Sequence, residues 1–182
     1  MYKGNNPTAL QSQEWIKVAF FDLLESKPLK IITIKEICER AGLARQTFYK
    51  LFESKEEILE YHLDSLFREY IHEIKKKKEI NTQLFALLYF EFFKNNHKFI
   101  LLLIDNDVTT ILSKKFREYL FEIKKLTKKI SEKLMNDYAL AFISGALVEI
   151  LIFWVKDGTQ VSSRDLSMLV KDILEGKYFF LQ

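Results

Sequence analysis

The chain has 182 residues, 48% hydrophobic and 29% charged, with a net charge of +3. Five glycines and two prolines are too few for the many tight turns of a β-sandwich or barrel, and the hydrophobic fraction excludes disorder. A single cysteine, Cys38, excludes an intrachain disulfide framework and a cysteine-built zinc site.

Apolar residues recur at helical spacing almost throughout, which predicts an all-α fold. The opening stretch MYKGNNPTALQSQEW lacks the apolar run of a signal peptide and points to a cytoplasmic protein. Asn6-Pro7 is a helix start with proline in the first helical position. Ile16, Ala19, Phe20, Leu23 and Leu24 then mark one face, and Ser26-Lys27-Pro28 ends the segment.

The next stretch is the richest in signals. Thr33-Ile34-Lys35-Glu36 is a capping box, with the Thr33 hydroxyl on the N3 amide and Glu36 reaching back. Ile37, Cys38 and Ala41 form a short apolar stripe, and Gly42 supplies the left-handed stop. A further helical run, Arg45 to Phe52, begins almost at once, with Phe48 and Phe52 one turn apart as core residues. Ser54-Lys55-Glu56-Glu57 opens a long helix that closes on Lys75–Lys78, where cations suit the macrodipole. Two short helices joined by a Gly-containing turn make a helix-turn-helix. Residues 26–55 hold seven basic and three acidic side chains, a local net of +4.

Beyond Asn81 the helices become aromatic-rich. A break is predicted at Asn95-Asn96, and one or two amphipathic helices run from Val108 to about Met135, with Ile130 and Leu134 on the buried face. Tyr138 to Val155 is apolar on nearly all sides, interrupted by Ser144, Gly145 and Glu149. Glu149, and the lack of any other spanning candidate, argue against a membrane segment. Such a helix is expected to contact its own domain on one side and a second subunit on the other, with Gly145 and Ala146 permitting close approach. Asp157-Gly158 closes it, and Ser163 is the expected cap of a last helix carrying Leu166, Leu169, Val170, Ile173 and Leu174.

Enzymatic constellations are missing from the sequence. It carries no Gly-rich phosphate loop, HExxH, GxSxG or CxxC, and no cofactor or metal is implied. His62, His72 and His97 do not pair one helical turn apart, and Asp105-Asn106-Asp107 is too short for a calcium loop.

The run from Thr33 to Leu59, with its capped helix, Ala-Gly turn, Phe-Tyr-x-x-Phe and Ser-Lys-Glu-Glu, resembles the DNA-binding signature of the tetracycline-repressor (TetR) family. The C-terminal region most resembles that of short regulators from low-GC Gram-positive bacteria. The resemblance implies a helix-turn-helix DNA-binding domain over residues 1–53. A helical effector-binding and dimerisation domain follows over 54–182, with helix 54–78 connecting the two.

It further implies a homodimer on a palindromic double-stranded operator, with the helix near Ala44–Lys50 in the major groove. Arg45 is then the candidate for guanine, Gln46 for adenine and Thr47 for the thymine methyl. Tyr49, Lys50, Lys55 and Thr33 match positions that touch phosphate in the family. Each keeps a plainer reading: cap for Thr33, solvated surface for the lysines, partial core for Tyr49. Ala44 stands where the family often has a capping Ser or Thr, which puts a phosphate contact there in doubt, and Leu51 replaces a frequent polar or aromatic residue.

The implied mechanism is repression relieved by a small hydrophobic effector of unknown identity. Phe90, Phe93, Phe99, Phe116, Tyr119, Phe142 and Trp154 either line its pocket or fill the core. Ala141, Gly145, Ala146, Leu166, Leu169, Val170 and Ile173 are the expected dimer interface. The alternative is a co-regulator whose C-terminal domain binds a protein partner in place of a small molecule.

Overall fold

The computed structural model describes residues 1–126 and 135–177, and all the regular elements among them are helices. The chain divides into two compact units, Met1–Ser65 and Leu66–Gln182. The boundary falls inside the long helix Glu56–Lys75.

In the first unit α1 spans Pro7–Leu24. Asn6 caps it, its side-chain oxygen accepting the Thr8 and Ala9 N–H groups at 3.0 and 3.4 Å. Its buried face holds Ile16, Ala19, Phe20 and Leu23, together with Ser12 and Gln13, which apolar periodicity does not reveal. A short 3-10 turn, Leu29–Ile31, leads to α2, Ile34–Ala41. Both halves of the Thr33/Glu36 capping box form. Gly42 ends α2 in the left-handed region at φ 65°. The third helix, α3, spans Arg45–Leu51, and α4 begins at Glu56 and runs to Lys75. Ser54 accepts the Glu57 N–H at 3.4 Å, while the Glu57 carboxylate reaches back to the Glu53 amide at 2.8 Å.

The second unit holds the rest of α4, then α5 Thr82–Asn95, α6 His97–Asp105, α7 Thr109–Leu126, α8 Met135–Lys156 and α9 Ser163–Leu174. Asn96 marks the break expected there, its amide donating to the Phe92 carbonyl at 2.9 Å. Helix α5 packs on α9, and α6 and α7 pack on α8. Ile130 and Leu134 lie outside the described residues. Ser162, one residue before the expected cap, is the N-cap of α9: its oxygen accepts the Asp165 N–H at 3.1 Å. Ser163 is instead the first helical residue and is buried. A serine pair offers two equivalent hydroxyls, and burial decides between them.

The aromatic excess collects here. Tyr89, Phe90, Phe93 and Phe116 are wholly buried. Tyr89 lies 4.9 Å from both Phe93 and Phe116, and Phe90 meets Trp154 edge-on at 5.6 Å. Edge-to-face pairs at these separations add about 0.5–1.5 kcal/mol each beyond the area they bury. The hydroxyls that come inside find carbonyls: Tyr70 donates to Phe85 O and Tyr89 to Leu147 O, both at 3.3 Å. Burial pushes both phenols above their ordinary range.

His62, on α4 in the first unit, meets the Phe21 ring at 4.9 Å. Burial, reinforced by the Lys17 ammonium and opposed by Glu14, lowers its imidazole to about 4. The unfolded chain takes up this proton near pH 6.5, whereas the folded chain waits until about 4. Folding stability should therefore fall as pH drops from 6.5 toward 4 and receive no further loss from this group below it. Comparing denaturation of the wild type and His62→Gln across that window should show a shallower acid loss in the variant.

Candidate nucleic-acid interface

Helix α3 has seven residues and two unlike faces. Phe48 and Leu51 point inward and are buried, and Phe52, just past the helix end, is buried as well. Burying two phenylalanines and a leucine is worth several kcal/mol, enough to seat a helix too short to be stable alone. On the other face Arg45, Gln46, Tyr49 and Lys50 are exposed, and Thr47 is half-buried. These side chains follow the i, i+1, i+4, i+5 spacing of a single helical face. Tyr49 is 58% exposed, with only the edge of its ring against Phe48 at 5.6 Å, so it belongs to the surface.

Ala44 occupies the N-cap in extended conformation, φ −70° and ψ 146°, and makes no side-chain bond. The first amides of α3 consequently receive no side-chain cap from Ala44.

Thr33 lies exposed at the start of α2. Its backbone N–H and its hydroxyl both donate to one oxygen of Glu36, each at 2.8 Å. The other Glu36 oxygen is paired with the Lys27 ammonium. The Lys27 hydrogen bond above all, then the Thr33 bonds, hold the Glu36 carboxyl down to about 2. A carboxylate of the chain's own thus already occupies the N-terminus of α2 and its donors. Lys27 was not singled out from the sequence, since a lysine before a proline carries no periodic signal.

Lys55 is placed differently from an outward-facing phosphate contact. Its ammonium donates to the carbonyls of Leu29, Ile32 and Lys30 at 2.6, 2.8 and 3.4 Å. Those three bonds use all its protons and tether the 3-10 turn before α2.

The remaining predicted residues fall in the second unit. Phe90, Phe93, Phe99 and Phe116 are buried, and Tyr119 stacks on Phe67 at 4.6 Å. Trp154, 2% exposed, donates its indole N–H to the Val161 carbonyl at 2.8 Å. An open cleft of about 700 Å³ between α8 and α9 is lined by Ile150, Phe153, Trp154, Val161, Leu166 and Leu169, with Glu149, Asp157 and Asp165 also on its wall. A smaller cleft includes Phe142, Ala146, Val170 and Ile173. Of the seven candidate pocket aromatics, Trp154 and Phe142 reach these two clefts.

Among the expected interface residues, Ala141 and Gly145 are exposed, Ala146, Leu169 and Ile173 are half-buried, and Leu166 and Val170 are turned into the protomer. Tyr138, Phe142 and Phe153 extend the exposed face of α8, at 77, 62 and 75% exposure. Helix α8 is long and apolar enough to cross a membrane, but Leu147, Val148, Leu151, Trp154 and Val155 are buried within the protein.

The N-cap backbone of α3 is already extended, so Ala44→Ser needs no rearrangement to cap it. We expect the variant to be more stable by about 1 kcal/mol, read from the chemical denaturation midpoint of the first unit.

Comparison with known proteins supplies the family. Residues 20–61 match the model of bacterial regulatory proteins of the tetR family, and residues 80–176 match that of a transcriptional regulator C-terminal region. Over 84 residues, 46% of this chain, the sequence is 31% identical to the HTH-type dhaKLM operon transcriptional activator DhaS of Lactococcus lactis subsp. lactis (strain IL1403). That match covers 45% of the relative's length, so the chain spans just under half of it.

The solved structure of Lin0861 from Listeria innocua shares the fold, with TM-score 0.77 and 13% identity, covering 97% of this chain and 96% of that one. The fatty acid degradation regulator FadR from Bacillus halodurans shares it at TM-score 0.57 and 18% identity, covering 97% and 98%. A structure of the dihydroxyacetone kinase operon activator DhaS gives 0.54 and 22%, covering 91% and 95%. With the N-terminal helix-turn-helix region and the C-terminal region both matched, the chain belongs to the tetR family of DNA-binding transcriptional regulators.

Proposed function

We propose that the protein is a cytoplasmic homodimer that reads a palindromic operator with α3 and represses transcription until a small hydrophobic molecule binds its C-terminal unit. The observation that carries the reading is the two-faced α3: a buried Phe48/Leu51 side and an exposed side bearing Arg45 and Gln46 at its N-terminal end. That end of a recognition helix enters the major groove. A guanidinium fits guanine O6 and N7, and a carboxamide fits adenine N6 and N7. Thr47 offers a methyl group, and Tyr49 and Lys50 stand where they can position the phosphate backbone. Thr33 takes a phosphate after releasing Glu36.

The exposed stripe of α8, with Tyr138, Phe142 and Phe153 around Gly145, is the surface we assign to the second copy. Exposed apolar area of this kind marks an interaction site. The 700 Å³ α8–α9 cleft lies on the same helix, in the size range of small-molecule sites. A ligand there would bear on the spacing of the two reading heads, which must match major grooves about 34–36 Å apart. It acts only through its different affinity for the two arrangements. Repression by occupancy needs nothing beyond operator binding. The partial relative DhaS is an activator, so a reporter assay on a selected promoter fixes the sign for this protein.

Arg45→Ala should abolish site-specific binding in a gel-shift titration while leaving folding intact; unchanged affinity would overturn the assignment of α3. Lys50→Ala should weaken all duplexes alike and lower the slope of log affinity against log salt by about one. Ala146→Glu should convert a dimer to a monomer in sedimentation; a persisting dimer removes α8 from the interface.

A further inference from the structure

We infer that the segment Met1–Asn6 belongs to the reading head, with the Tyr2 backbone and the Gln13 side chain acting as positioning groups for the recognition helix. The inference rests on the reading of α3 given above. The Tyr2 N–H donates to the carbonyl of Leu51, the last residue of α3, at 2.7 Å. This carbonyl is among those that a helix end leaves without an intrahelical donor. The Tyr2 carbonyl in turn accepts from the Gln13 side-chain amide at 3.2 Å. Only the NH₂ end of a carboxamide can face a carbonyl, which fixes the orientation of that side chain. The two peptide groups flanking one residue are therefore held at once, one by the end of α3 and one by the inner face of α1.

Gln13 is 0% exposed, an unusual place for its residue type. Its other amide atom, Oε1, is buried without a hydrogen-bond partner. Leaving an acceptor unsatisfied is costly, so a side chain kept there owes its place to the bond it does make. The segment itself has a defined shape. The Tyr2 hydroxyl accepts the Asn6 N–H at 3.1 Å, and a Cβ on Gly4 would come within 2.3 Å of that oxygen. The tyrosine ring thus closes over the glycine and ties the segment to the N-cap of α1.

The consequence for reading DNA is geometric. Arg45 and Leu51 stand at opposite ends of α3, about 9 Å apart along the axis at 1.5 Å per residue. Ala44 provides no side-chain bond at the Arg45 end, so the Leu51 end carries the anchor. A tilt of about 10° there moves Arg45 by roughly 1.5 Å, enough to break a bidentate contact whose tolerance is a few tenths of an ångström. Phosphate contacts, governed by charge, tolerate the same movement. Loosening the segment should cost base recognition while sparing general affinity.

The test uses a duplex selected by the wild-type protein from a random library, a scrambled duplex of equal length, and the full chain. Tyr2→Pro removes the N–H, Gln13→Leu removes the amide together with the orphaned acceptor, and Tyr2→Phe keeps the backbone bonds and the ring. We expect Tyr2→Pro and Gln13→Leu to lower affinity for the selected duplex roughly three- to tenfold, the worth of one hydrogen bond. Affinity for the scrambled duplex should stay at the wild-type value, the unfolding midpoint should fall by no more than the loss of one hydrogen bond allows, amide exchange over residues 49–52 should quicken, and Tyr2→Phe should behave as wild type. An unchanged ratio of the two affinities, or an equal loss on both duplexes with a lowered midpoint, overturns the inference. Arg45→Ala is measured alongside: if it too leaves the ratio unchanged, the α3 reading itself has failed; if it alone collapses the ratio, only the positioning role has.

Discussion

Seven residues of helix cannot stand in water by themselves, and the surface we propose for reading DNA is built around that fact. Phe48 on α3, with Leu51 and Phe52 at its end, is pressed into the first unit, and these side chains supply the free energy that keeps the helix formed. Everything outward-facing on α3 depends on that inward grip. Because the apolar contacts occupy one side, Arg45, Gln46, Tyr49 and Lys50 are left exposed on the other. Specificity of presentation and stability of the helix are thus two results of a single burial.

Ionic and polar ties then adjust the frame around it. Lys55 holds the turn that precedes α2, spending its charge on backbone carbonyls. Glu36 and Lys27 neutralise one another at the terminus of α2. The +4 patch of the helix-turn-helix is consequently less exposed than its count suggests, because some of its lysines are already engaged. Arg45 and Lys50 on α3 remain exposed.

The helical plan was legible in the sequence wherever a local signal existed. Asn6-Pro7, the Thr33/Glu36 box, Gly42 and the asparagines at 95–96 all act within a few residues, and each sits at a helix boundary. What could not be read are contacts between a side chain and a distant backbone: Lys55 with the 29–32 turn, Gln13 with Tyr2, Trp154 with Val161. Such bonds leave no periodic trace. Aromatic spacing on α5 and α7 likewise could not separate a cavity wall from packed core, since both demand the same inward face. The structure puts Phe90, Phe93 and Phe116 in packed core and leaves the open clefts along α8 and α9.

Gly42 sits at φ 65° with nothing within 4 Å of the place where a Cβ would stand. Its role is conformational and not steric, so the turn between α2 and α3 discriminates among residues by torsional preference alone. Asparagine, which enters the left-handed region more readily than other side chains, is the replacement that this corner would tolerate best over sequence drift, whereas β-branched residues would be purged. The corner therefore has a narrow but not a single-letter alphabet, and its variation among descendants would record backbone geometry with no imprint of the operator they read.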